Sequence, residues 1–371
     1  VEVVIATEWY SEEEYELHPK VKRIHAGLTE SDEKASRMAK LWIRIRNLRM
    51  VLLQEKPDVL ISFCVKANYR AMMASTGTDI PVIVSVRNDP KIDYMGRANS
   101  FMNKMFLNKA AGCVFQTQEA KEFFDQVLQD KSVIICNPIN EKYLQAERKK
   151  PEKKIVCVGR LVAQKNQMLL VNAFEKILEM HEDYDLYLYG DGSDDECKEE
   201  LINYVNASRL LKHHIHFMGL SSTLEKDMAD AAMFVLPSNY EGMPNALMEA
   251  MALGLPVIST DCPCGGSRYW IEPGITGQLV PVKNVKSMAQ AIEYYILNPK
   301  EARNMGEKAR RRLQEATLDK VYEQWQEYIL QVLCIRPHHI PDSVHTVIHH
   351  MPFHLVPNHR DPEMRVRWSC R

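Results

Sequence analysis

Short apolar runs rich in β-branched residues recur along this chain, and most are followed by a stretch with helical spacing. In the second half the runs are Lys154–Val158, Asp185–Tyr189, Ile215–Phe217, Met233–Leu236, Pro256–Thr260 and Gly277–Val280. In the first half they are Val1–Thr7, Asp58–Cys64, Pro81–Val86, Gly112–Thr117 and Val133–Cys136. Such runs are too short for helices, and many are apolar on both sides of the two-residue repeat. Strands covered on both faces read this way, and parallel sheets are built from them. Strand–helix alternation implies an α/β architecture. A chain of 371 residues exceeds what one ordinary core holds, so two α/β domains are expected.

Charge narrows the partners. With 47 basic against 49 acidic residues, nothing points to nucleic acid. Nine cysteines are scattered, and Cys262 and Cys264 do not have zinc-ligand spacing. Reduced thiols in a cytoplasmic protein are expected. No apolar run is long enough to span a membrane, and no signal-peptide pattern is present. Lys34–Gln54 reads as a helix with an apolar stripe of Met38, Leu41, Ile45, Leu48 and Leu52. It also carries Lys34, Arg37, Lys40, Arg44, Arg46, Arg49 and Trp42. Two readings stand: a surface helix packed on a sheet, or a helix docked on an anionic membrane surface at the inner membrane face.

The chemistry concentrates in residues 239–254, which hold the carboxylates Glu241 and Glu249. Strand, loop, helix and strand are expected in turn, with Pro244 in the first helical turn and Gly254 as the stop. Glu241 then lies in the loop and Glu249 inside the helix. A helix start collects unpaired N–H groups, which suits phosphate or sugar oxygens. Upstream, Gly159, Arg160 and Lys165 follow a strand. Glycine lets backbone approach a ligand, and the two cations can neutralise a diphosphate. The alternative is a pair of solvated surface cations. Neither a dinucleotide fingerprint nor a P-loop pattern is present in this loop. Arg87-Asn88-Asp89-Pro90 follows another strand, where Arg87 could meet an anion or pair with Asp89 or Asp93. Paired carboxylates can also flank a glycosidic bond, but two on one loop–helix unit suit gripping two parts of one ligand.

Together, Gly159-Arg160-x4-Lys165-Asn166, Gly190-x-Gly192, Pro237-Ser238-x-x-Glu241-Gly242-x-Pro244, Glu249, Ala252-x-Gly254-x-Pro256-Val257 and Gly274-x-x-Gly277-x-Leu279-Val280 resemble the retaining family 4 glycosyltransferases (glycosyltransferase group 1) of the GT-B fold. Residues 154–330 carry the likeness strongly and 1–150 weakly. Ser85–Pro90 is similar to members that build bacterial surface polysaccharides. The resemblance implies two Rossmann-like doubly wound domains facing a cleft. It implies transfer of a hexose from a nucleotide-diphosphate sugar, a UDP-sugar, to a glycan or lipid-linked acceptor, with retention and without a metal or other cofactor. Carried over, Arg160 and Lys165 bind the diphosphate, Glu249 the ribose and Glu241 the donor sugar. Gly242, Met243, Pro244 and Asn245 present backbone to that sugar, Gly159 and Gly190 line the donor site, and Met218 and Gly219 lie beside the base. The Gly-rich loop after the first strand of many relatives is absent, as are their His near Arg87 and their Glu near Tyr269. The alternatives are a catalytically impaired nucleotide-sugar-binding relative and a sugar-nucleotide epimerase of the same fold.

The expected domains are 1–145, an acceptor-side domain truncated at its first strand, and 151–318, which binds the nucleotide sugar. A closing helix at 319–333 is expected to pack back on the first domain. Residues 334–371 carry seven of the thirteen histidines without periodicity and are expected to be a divergent or disordered tail.

Overall fold

The computed structural model describes residues 2–8, 17–192, 195–334 and 345–349. The chain forms two units: Val1–Ile135 with Tyr322 onward, and Cys136–Val321. The division at Cys136 differs from the boundary expected near residues 145–151. Residues 137–152 are hydrogen-bonded into the second unit instead. Ile139 N–H donates to Ala316, Lys149 N–H to Ala229 and Glu152 N–H to Asp230. The Arg148 guanidinium donates to the Ala231 carbonyl at 3.0 Å.

The first unit is a parallel sheet of β1 (Glu2–Thr7), β2 (Val21–His25), β3 (Val59–Phe63), β4 (Val82–Ser85), β5 (Gly112–Phe115), β6 (Ser132–Ile134) and β13 (His345–His349), in the order β2-β1-β13-β3-β4-β5-β6. β3 and β4 are buried along their whole length, as their unbroken apolar sequence requires. β2 was not foreseen. It is an edge strand with no buried residue, and the adjacent cations Lys22 and Arg23 interrupt its apolar pattern. β13 departs from the expectation for the tail at His345–His349 alone; residues 335–344 and 350–371 lie outside the described residues. The β-branched run Thr346-Val347-Ile348 pairs with β1 on one side and β3 on the other, and Thr346 is buried.

Helix α1 (Arg37–Glu55) starts at Ser36, whose hydroxyl caps Ala39 N–H, and ends at Lys56 in the left-handed region. It buries Ile45, Leu48, Val51 and Leu52, while Met38, expected in the apolar stripe, is exposed. Beside it runs α2 (Val65–Ala74), then α3 (Pro90–Asp93) and α4 (Arg97–Met105). The helix Leu318–Cys334 carries Tyr328, whose hydroxyl accepts from Cys113 N–H at 2.8 Å and donates to the Lys131 carbonyl at 2.5 Å.

The second unit is a parallel sheet of β7 (Lys154–Val158), β8 (Asp185–Tyr189), β9 (Ile215–Gly219), β10 (Met233–Leu236), β11 (Val257–Thr260) and β12 (Gln278–Val280), in the order β12-β11-β10-β7-β8-β9. Helix Gln167–Leu178 buries Leu170, Phe174 and Ile177 in one core with Met288 and Ile292 of helix Val285–Leu297. Each such side chain contributes about 1.5–3 kcal/mol. The helix expected over Leu224–Ala232 is only one turn, Leu224–Asp227. The chain leaves β7 toward β8 and β9, then returns to the other side of β7 as β10. The strand order therefore reverses between β7 and β10, and ligands of open parallel sheets bind at the carboxyl ends of such strands.

Candidate active site

The loops after β7 and β10 meet at this reversal. Asn239 N–H donates to the Gln164 carbonyl at 2.8 Å. The Asn239 amide donates to the Ala163 carbonyl at 2.8 Å, Gln164 to the Tyr240 carbonyl at 3.1 Å, and Asn166 to Asn239 Oδ1 at 3.0 Å. Buried Gln167 holds the carbonyls of Gly159 and Arg160 at 3.3 and 2.9 Å. These amides form the frame of the site, and motif reading gave them no role. A glutamine directly ahead of the apolar run Met168–Val171, as Gln167 is, was the available signal.

Within this frame Lys165 Nζ lies 2.5 Å from Glu241 Oε1, and Ser238 Oγ donates to the same oxygen at 2.6 Å. Glu241 and Ser238 are both buried. Thr260 Oγ1 holds the Ser238 carbonyl at 2.6 Å. A lysine and a glutamate 76 residues apart thus form one shielded pair, while Arg160 on the same loop is exposed. Nearby Cys157 and Cys262 are not nucleophiles, because burial pushes both thiols up to about 12.

The glycines expected at the donor site do come together. Gly159 N–H donates to Tyr189 O, and Gly190 N–H to Gly219 O at 2.7 Å. Gly190 has φ +126°, and a Cβ there would lie 2.2 Å from the Gly159 carbonyl oxygen. Gly190→Ala is expected to cost roughly 1–3 kcal/mol from backbone strain alone. The measurement is a lower urea midpoint at unchanged m; an unchanged midpoint would show that the loops part freely. Gly219 (φ +66°) ends β9 beside half-exposed Met218.

The predicted helix forms as Asn245–Ala252, with Pro244 at its cap and Gly254 at φ +75° beyond its end. The loop before it is locked. Met243 Sδ accepts from Trp270 Nε1 at 2.9 Å, and Asn245 Oδ1 accepts from Asn137 at 2.6 Å. Glu249 has different company from Glu241. It accepts a hydrogen bond from Tyr143, with Lys142 and Glu225 close by. Lys142 and Glu225 pair at 2.9 Å. Burial pushes the Glu249 carboxyl up to about 7, and burial together with Glu249 also raises the Tyr143 phenol. Tyr143 lies in what reads by sequence as a charged linker, so its role was not legible there.

In the first unit the Arg87 guanidinium stands over the Phe63 and Trp325 rings, 5.0 and 5.6 Å from their centroids. Asp89 caps α3, and Asp93 accepts from Asn88 at 3.3 Å. Among the described residues, no group of three His, Cys, Asp or Glu is placed to hold a metal ion, and no helix is long and apolar enough to cross a membrane.

Residues 139–312 match the family described as glycosyl transferases group 1. An uncharacterized glycosyltransferase of Methanocaldococcus jannaschii is 28% identical over 251 residues, covering 61% of this chain and 61% of that relative. The chain thus spans less than two thirds of that relative's length. The Campylobacter jejuni N-acetylgalactosamine-N,N'-diacetylbacillosaminyl-diphospho-undecaprenol 4-alpha-N-acetylgalactosaminyltransferase is 26% identical over 289 residues, covering 74% of this chain and 76% of that one. Among solved structures, Anabaena HepE in complex with UDP-glucose superposes with a TM-score of 0.71 at 16% identity, covering 84% of this chain and 86% of that one. At that identity the likeness concerns the fold.

Proposed function

We propose, from the premise that residues 139–312 are a glycosyl transferases group 1 segment on a GT-B fold, that this protein transfers a hexose from a UDP-sugar to a glycan or lipid-linked acceptor. The observation that carries the reading is the shielded Lys165–Glu241 pair at the carboxyl ends of β7 and β10. The UDP-glucose bound by Anabaena HepE supports the donor class. The diphospho-undecaprenol in the Campylobacter relative's name supports the acceptor class.

In this reading exposed Arg160 and Lys165 receive the diphosphate, and Lys165 divides its charge between phosphate and Glu241. Glu241 faces the donor sugar. The bond from the anomeric carbon to the phosphate oxygen breaks while the acceptor oxygen bonds to the same face of that carbon. The acceptor's proton passes to the departing phosphate, and the two cations stabilise the negative charge that develops there. No metal is required for this counter-charge, so transfer is expected to persist in EDTA. The test is UDP release from UDP-hexoses dependent on a glycan acceptor, with the anomeric configuration of the product read by NMR. Binding of UDP without release would turn the reading toward a non-catalytic sugar-nucleotide binder, and an inverted product would refute the same-face step.

Glu249 is assigned to the ribose hydroxyls, which a charged carboxylate accepts best. Its carboxyl, at about 7 in the folded protein, lies above the ordinary value near ~4.3. The native state therefore binds the extra proton. The stabilisation is complete below ~4.3 and is lost as pH rises through about 7. Binding of UDP should strengthen over the same interval. Glu249→Gln is expected to weaken UDP on the order of tenfold at pH 8. It is also expected to raise the melting temperature there by a few degrees, because no charge is buried. Calorimetric titration and melting at pH 5 and 8 check both; a melting temperature lowered at pH 8 contradicts the assignment.

A further inference from the structure

Glu249 is reached by a short segment that the sequence disguises as linker. The helix Glu141–Gln145 is capped by Asn140, whose Oδ1 accepts from Lys142 N–H at 3.1 Å. It is fastened along helix Asn245–Ala252 at both ends. At the start, Asn137 donates to Asn245 Oδ1. Past the far end, Arg310 lies beside Gly254 and donates to the Leu144 carbonyl. Lys142 and Tyr143 are thereby held against the middle of that helix, where Glu249 stands.

Tyr143 is 4% exposed. For packing alone, phenylalanine would fill the same space, and a buried hydroxyl costs free energy unless it is hydrogen-bonded. Here the hydroxyl donates to the Glu249 carboxylate. Lys142 Nζ stands 5.1 Å from the centroid of the Tyr143 ring and 2.9 Å from Glu225 Oε2. Glu225 comes from a separate element, the turn of helix Leu224–Asp227.

The other groups packed on this helix leave Glu249 to these three. Its own helix holds no second titratable residue, and β10 and β11 bring none. Helix Pro299–Arg312 meets Gly254 with Gly306 and Arg310, and Arg310 is engaged with the Leu144 carbonyl. Glu315, on the turn Leu313–Ala316, is exposed and acts on Tyr269. Glu141, beside Lys142, is exposed.

We infer that Tyr143 is a positioning residue of the nucleoside site: its hydroxyl, with Lys142 and against Glu225, holds the Glu249 carboxylate charged and aimed at the ribose hydroxyls. The inference rests on the reading of Glu249 as the ribose ligand. Burial pushes that carboxyl up to about 7, so its neighbours decide its charge near neutrality. A donor to the charged form and a nearby cation both favour ionisation, whereas a like charge opposes it. Tyr143 and Lys142 therefore act in one direction and Glu225 in the other.

The test is calorimetric titration of the full chain, from pH 5 to 9, with UDP and with 2′,3′-dideoxy-UDP, which lacks both ribose hydroxyls. Wild type is expected to prefer UDP about tenfold at pH 8 and to bind the two nearly alike at pH 5. Tyr143→Phe should move the midpoint of that preference up by roughly one pH unit. Glu225→Gln should move it down by about half a pH unit, the like charge being partly offset by Lys142. The dideoxy compound should bind all three proteins alike, which shows the diphosphate and base contacts intact. Loss of packing alone does not give shifts of opposite sign. A wild-type preference whose midpoint neither variant moves, or both move the same way, overturns the inference and leaves the ribose reading standing. No preference in wild type removes the ribose reading and the inference with it.

Discussion

Lys165→Met is expected to abolish transfer and also to unfold the second unit more easily, by about 3–5 kcal/mol. The second effect follows from leaving the buried Glu241 carboxylate unpaired. Glu241 is 5% exposed, and its Oε1 also accepts from Ser238 Oγ. A single lysine variant therefore confounds stability with chemistry. The double variant Lys165→Met with Glu241→Gln separates them. Replacing both charges of a buried pair by neutral groups of similar shape is close to neutral for folding, and Ser238 can still donate to the glutamine oxygen. Stability should return to near the wild-type value, while kcat stays down by about 10²–10³-fold, as for loss of one preorganised charge-stabilising group. Urea midpoints and UDP release across the four proteins of the cycle give both couplings. Activity that returned with stability would make the pair a structural bolt and move the diphosphate site to Arg160 alone.

What the sequence revealed and concealed follows from where the constraints are local. The strands of the second unit are apolar runs bounded by turns, so β7, β8, β10 and β11 were legible to within a residue or two. That Gly159 and Lys165 follow β7 and that Glu241 follows β10 was legible, because loop position after an apolar run is set locally. The Lys165–Glu241 distance was not, since it depends on β10 lying beside β7 across a long return of the chain. Tyr143 was hidden for a related reason. Its segment is polar in sequence and becomes structured only by packing on helix Asn245–Ala252. The two faces of α1 were both apolar in sequence, so only the sheet beneath could decide that Leu48 is core and Trp42 is surface.

The tail shows the same limit at its largest scale, because five residues decide whether the first sheet is one sheet. β1 and β3 do not touch in the order β2-β1-β13-β3; each pairs with β13. Without that strand the sheet is a β1–β2 ribbon and a separate group of β3 to β6, and a two-stranded ribbon is marginal alone. Val347→Pro removes an N–H from a strand bonded on both sides and is excluded from central strands on those grounds. The expected result is loss of the first unit's folding transition, by about 3 kcal/mol or more, with amides of β1, β2 and β3 exchanging fast. The second unit, whose sheet takes no strand from the tail among the described residues, should keep its protection and the UDP binding proposed for it. Hydrogen exchange resolved by segment reads the outcome directly. Retained protection in β1 and β3 would mean that those strands close against each other, and that the histidine-rich tail is dispensable to the fold.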